Sequence, residues 1–185
     1  MILLKRLTIV LLPWFVLSVV TRHVPPQWGA VLWIAFIALG ALRSRMAKRP
    51  LNPLPFAAIV TILGLTANGY LRFSTWASEN GSALCYAAFA VTALVTVLLR
   101  APFSVAYAKA MVPAALWSHP IFLRVNNNVS LVWTLVFALN AVINASVHEF
   151  WIAQPTSFAL LAAAIVYSDV YPSMVRLRYQ THLQA

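Results

Sequence analysis

The stretch SALCYAAFAVTALVTVLL, residues 82–99, carries no charge, no Gly and no Pro, and it decides the solvent in which this chain folds. A helix must supply about 20 predominantly apolar residues to cross about 30 Å of hydrocarbon. Residues 82–99 come close to that length on their own, so the run reads as a membrane-spanning helix. The remainder of the chain agrees. Of its 185 residues 62% are hydrophobic and 9% charged, and mean hydropathy is +0.83, the composition of an integral membrane protein.

Outward from 82–99, the apolar runs 4–22, 55–74 and 129–148 are equally plain, 156–174 carries Asp169, and 28–42 is barely long enough. Turns separate them. RHVPPQW (22–28) sets a Pro pair and an interface-depth Trp between the first two runs, and RSRMAKRPLNPLP (43–55) uses its X-Pro pairs to end one helix and begin the next. The expected architecture is all-α: a polytopic transmembrane helix bundle of about six helices, forming one domain over 1–185. Lys5 and Arg6 precede the first run as in a signal peptide, but no small-x-small cleavage site follows, so that run is expected to stay as a helix. Cys85 is the single cysteine, which leaves no disulfide, redox pair or thiolate cluster to be built within one chain.

Charge orients the bundle. With the amino terminus in the cytoplasm, six helices place all 13 Lys and Arg residues except Arg22 and Arg72 on the cytoplasmic side, as the positive-inside rule requires. A five-helix arrangement would put one basic loop outside. Both termini are therefore expected in the cytoplasm. The net charge of +10 calls for no nucleic acid, since it marks topology and attracts anionic lipid headgroups on the cytoplasmic side.

Between 82–99 and 129–148 lies RAPFSVAYAKAMVPAALWSHPIFLRVNNN (100–128), too basic and Pro-broken to span a bilayer and too aromatic for an ordinary loop. Pro102 and Pro113 each suit the first turn of a short helix. Phe103, Tyr107, Met111 and, beyond the second Pro, Trp117 recur near helical spacing, while Arg100, Ser104 and Lys109 fall elsewhere. Residues 100–126 are thus expected to form a cytoplasmic interfacial collar. Its aromatic and Met side chains would lie in the headgroup boundary, and Arg100, Lys109 and Arg124 would face anionic lipid or a partner protein. A plain anchor for the connection fits the same pattern. VNNNV (125–129) is expected to start the fifth helix with an Asn cap.

The same residues carry a resemblance. Pro102-Phe103-Ser104, Tyr107-Ala108, Val112-Pro113, Trp117, Pro120, Phe122, Asn126, Ser130, Trp133 and Phe137 together resemble a pattern of small bacterial membrane proteins related to the intracellular septation protein A (YciB/IspZ) family. Trp117-Ser118, Trp133 and Asn144 are similar to positions of the septation protein itself. The pattern covers under a quarter of the chain, with a compatible hydrophobic layout elsewhere. The resemblance implies a bacterial inner-membrane protein of envelope maintenance that acts through protein or lipid contacts, with no catalytic residues to carry over.

Polar residues inside apolar runs are the remaining candidates. Asn140 and Asn144, four apart on one helical face, call for partners across a helix interface, and Asn68 lies in the third run with Thr61 and Thr66 nearby. Interhelical bonding is the simpler role for them; lining a path for a substrate headgroup is the other. Asp169 is the one carboxylate within an apolar run, placed one turn before the expected end of the last helix, where a salt bridge to a basic residue competes with a proton-linked or headgroup-binding role. His23, His119, His148 and His182 sit at expected membrane edges with no i, i+4 pair, and neither a metal site nor any other cofactor is expected.

Catalytic patterns are missing from the sequence: it has no GxSxG, no HExxH and no Gly-rich phosphate loop, and Ser146 and His148 face different directions. Three function classes stay open. The first is a non-catalytic envelope protein that binds partners or lipids. The second is a small transporter or lipid-handling protein, acting as a homo-oligomer, with Asn68, Asn140, Asn144 and Asp169 along its path. The third is a membrane subunit of a larger enzyme or secretion complex.

Overall fold

A computed structural model describes residues 16, 19–20, 23–46, 52–109 and 112–184. The expected first helix, 4–22, lies largely outside the described residues, as does Met111. Among the described residues the fold is entirely helical, in seven α-helices and one 3-10 turn. These are α1 (Pro26–Met46), α2 (Pro53–Leu71), α3 (Thr75–Glu79), α4 (Gly81–Leu98), α5 (Ser104–Ala108), the 3-10 turn Ala114–Leu116, α6 (Pro120–Ser146) and α7 (Phe150–Gln184). Five of them, α1, α2, α4, α6 and α7, are long and apolar enough to cross a membrane, which makes this a multi-pass membrane protein.

Proline chemistry sets several helix starts. Pro53 opens α2 behind Asn52, whose side chain accepts from the Leu54 amide and so satisfies one orphan donor. Pro120 opens α6 in the same way, and here the cap is His119, whose Nδ1 accepts from the Ile121 amide at 3.2 Å. The expected Asn cap at VNNNV is thus corrected. Asn126, Asn127 and Asn128 lie inside α6, nearly two turns beyond its start, because a Pro at the first helical position fixes the start earlier than hydropathy does. The collar is correspondingly shorter than 100–126. The connection spans 100–119, and its described residues hold the one-turn α5 and the 3-10 turn.

The last helix also exceeds the expected 156–174. It passes through Pro155 and Pro172, each of which removes one backbone donor yet leaves the helix continuous. Neighbouring helices and Ser or Thr hydroxyls make such a loss tolerable in a membrane bundle. α1 likewise keeps Arg43 and Arg45 in its last turn, where cations complement the helix dipole.

The centre of the bundle is the α4–α6 pair. α2 packs on α4, α7 on α6, and α1 on α2. Small residues let α4 come close: Ala83 and Ala93 are buried, Ala93 completely. Around Ala93 stand Phe103 and Phe137, with Leu54, Tyr86, Phe89, Ala90, Trp133 and Leu161 closing the cluster. Phe89 and Trp133 lie 5.4 and 5.3 Å from the Phe137 ring, so this middle layer is aromatic. Large apolar side chains elsewhere, such as Val60, Val91, Leu135 and Val142, point outward, as a surface solvated by lipid tails permits.

Candidate functional site

Polar groups occupy both sides of the aromatic layer. At one end is the joint between α4, the collar and α6. α4 terminates with Arg100 in the left-handed region, φ 58°, a conformation that costs an ordinary residue about 1 kcal/mol or more. The Ala101 amide then donates to the Thr96 carbonyl at 2.9 Å, and the Phe103 amide donates to the Thr96 hydroxyl at 3.2 Å. These bonds turn the chain back under the bundle and bury Pro102.

Ser104 completes the joint. Its hydroxyl donates toward the Asn126 carbonyl at 2.9 Å and toward Asn126 Oδ1 at 3.0 Å. It accepts from the Ser130 hydroxyl at 3.0 Å, while the Ser104 amide donates to Ser130 Oγ at 3.3 Å. Asn126 is oriented in turn by its own Nδ2, which donates to the Phe122 carbonyl. All three side chains are buried, Ser130 fully. A closed set of short neutral hydrogen bonds in low dielectric rigidifies the segment it holds.

The collar's other expected contact residues are buried, half-buried or exposed. Phe103 is buried in the aromatic layer and not in a headgroup boundary, because the Thr96 bond draws the start of α5 into the bundle. Tyr107 presents an exposed ring, and its hydroxyl accepts from Asn52 Nδ2, which ties α5 to the cap of α2. Lys109 stands over the Trp117 ring at 4.9 Å, and Trp117 Nε1 donates to the Val112 carbonyl at 3.0 Å. Both are half-buried. Arg100 and Arg124 are exposed, as is Leu116.

Of the intramembrane polar residues, the structure brings Asn140 and Asn144 together with residues of α7. Asn144 Nδ2 donates to the Asn140 carbonyl at 2.8 Å and to Ser157 Oγ at 2.9 Å, and Gln154 Nε2 lies 3.4 Å from Asn144 Oδ1. Asn68 is placed apart from them. Its amide bonds the Ser74 carbonyl at 2.8 Å, Ser78 Oγ at 2.9 Å and the Ser74 amide at 2.9 Å, which shapes the turn between α2 and α3. Asp169 is exposed on α7, with its backbone carbonyl accepting from Ser173 Oγ. Among the described residues, no three His, Cys, Asp or Glu side chains form a group suited to a metal ion.

Several residues that build these sites are not evident from the sequence. Thr96 and Ser157 look like ordinary small polar residues of spanning helices, and Asn52 like part of a turn. Gln154 and Ser157 do sit three apart, on one face, which is a usable signal for a polar interface. Tertiary pairing is what gives them partners. Family models, curated proteins and solved structures yield no match to this chain.

Proposed function

We propose that this chain is a non-catalytic bacterial inner-membrane protein that serves envelope maintenance by binding a protein partner or anionic lipid headgroups through its collar. The observation that carries this reading is the contrast within the collar. Its root is fixed by a half-buried bond to Thr96 and by buried bonds among Ser104, Asn126 and Ser130, while Arg100 and Arg124 stand exposed on either side of it. A segment held so rigidly presents its charges at a constant place, which lowers the entropy lost on binding. The resemblance to the septation protein A family supports the same reading. Phe103, Ser104, Asn126, Ser130, Trp133 and Phe137 of that pattern all lie at the joint or in the aromatic layer above it.

In this reading the collar lies on the cytoplasmic surface and both termini are cytoplasmic, by the distribution of Lys and Arg. The buried Asn140, Gln154 and Ser157, with the half-buried Asn144, favour a second reading, a small transporter or lipid-handling protein. A cell lacking the chain tests the first. It should become sensitive to detergents and cell-wall antibiotics, wild type should restore resistance, and Arg100→Gln/Arg124→Gln at equal abundance should not. Full restoration by the double variant would end the collar-binding reading.

A further inference from the structure

Asn140 is completely buried, and among the described residues neither its Oδ1 nor its Nδ2 has a hydrogen-bond partner. Only its backbone is engaged, as acceptor from Asn144 Nδ2. A buried amide left bare is costly, and hydrocarbon around the bundle offers no relief. What surrounds it is polar and uncharged. Asn144 meets Ser157 and Gln154, the Gln154 contact is long at 3.4 Å, and Tyr86 adjoins Ser157 from the α4 side.

The chemistry of this set selects its ligand. An amide offers one acceptor and two donors, so its complement must both donate and accept. The cluster contains no cationic side chain for an anion and no carboxylate for a cation. Water satisfies the requirement and is the smallest species that does. Depth and closure fit as well. Asn140 lies six residues before the end of α6 at Ser146, about 9 Å along the helix axis, and Gln154 lies in the first turns of α7. Toward the collar the next layer is aromatic, with Phe89 and Trp133 packed on the Phe137 ring.

We propose that Asn140, Asn144, Gln154, Ser157 and Tyr86 form an internal water-binding site between α4, α6 and α7, exchanging with solvent at the α6–α7 turn and sealed from the collar end by the aromatic layer. The polar interior is then a closed half-pocket and not a continuous path. This assignment is independent of any role for the collar.

Pulsed X-ray hydroxyl-radical labelling tests it, because radicals formed from a bound water modify adjoining side chains that bulk solvent does not reach. After correction for intrinsic reactivity, Tyr86 should be oxidised several-fold faster than Phe89, one turn further along α4. In Asn140→Leu, which keeps the branched shape and removes both polar atoms, the Tyr86 rate should fall to that of Phe89 while exposed Tyr70 stays unchanged. A Tyr86 no more reactive than Phe89 in wild-type protein would overturn the proposal, whether or not the variant folds. So would a Tyr86 rate that Asn140→Leu leaves unaltered.

Discussion

Ser104 has one hydroxyl proton for two Asn126 oxygens, and it also receives the proton of Ser130. Removing either serine leaves a buried acceptor or donor with nothing to bond. Ser104→Ala and Ser130→Ala should therefore each destabilise the protein by about 1–2 kcal/mol. The double variant should cost less than the sum, with a coupling of about 0.5 kcal/mol or more. Steric-trapping unfolding in bicelles measures both, and strict additivity would show that the two hydroxyls act separately. Arg100 yields a second prediction. At φ 58° a Cβ is a liability, so Arg100→Gly should be about 1 kcal/mol more stable than Arg100→Ala in the same assay. Equal stabilities would mean that the left-handed turn does not persist in a bilayer.

Helices reveal where sequence reasoning reaches and where it stops. The apolar run 82–99 and the helix Gly81–Leu98 nearly coincide, since nothing but length and hydropathy governs that element. The fifth run was legible only from 129, because Arg124 and three Asn residues depress hydropathy ahead of it, although Pro120 carries the true start signal. The inward roles of those Asn residues were not legible at all. Asn126 faces Ser104, and Asn128 Nδ2 donates to the Tyr171 hydroxyl at 2.6 Å, partners 22 and 43 residues away in sequence. Periodicity identifies a face but not what stands opposite it. Asn52 shows the same limit and offers a test. It caps α2 through its oxygen and holds Tyr107 through its nitrogen. Asn52→Asp should preserve the cap and keep the tie with its direction reversed, the Tyr107 hydroxyl donating to the carboxylate, whereas Asn52→Ala should lose both and cost about 1 kcal/mol more. Thermal unfolding in mild detergent separates them, and indistinguishable variants would assign the cap no weight.

For the molecule as a whole, the collar and the α2–α3 turn are at opposite ends of α4, so they must face opposite sides of the membrane. The proposed topology, which rests on the distribution of Lys and Arg, puts the collar in the cytoplasm. Cys85, the single native thiol, lies half-buried within α4 and adds little background to cysteine labelling. In intact cells, a membrane-impermeant maleimide should label Thr75→Cys and spare Ser118→Cys until the membrane is opened. The reverse pattern would invert the topology and place the basic rim outside.

Binding at the collar is the central claim, and native mass spectrometry of the full-length protein released from mild detergent reaches it most directly. Wild type should retain a stoichiometric ligand, either a protein or an anionic phospholipid, and Arg100→Gln/Arg124→Gln should lose that ligand while keeping its helical content. Wild type and variant carrying the same ligands in the same amounts, or neither carrying any, would contradict the account.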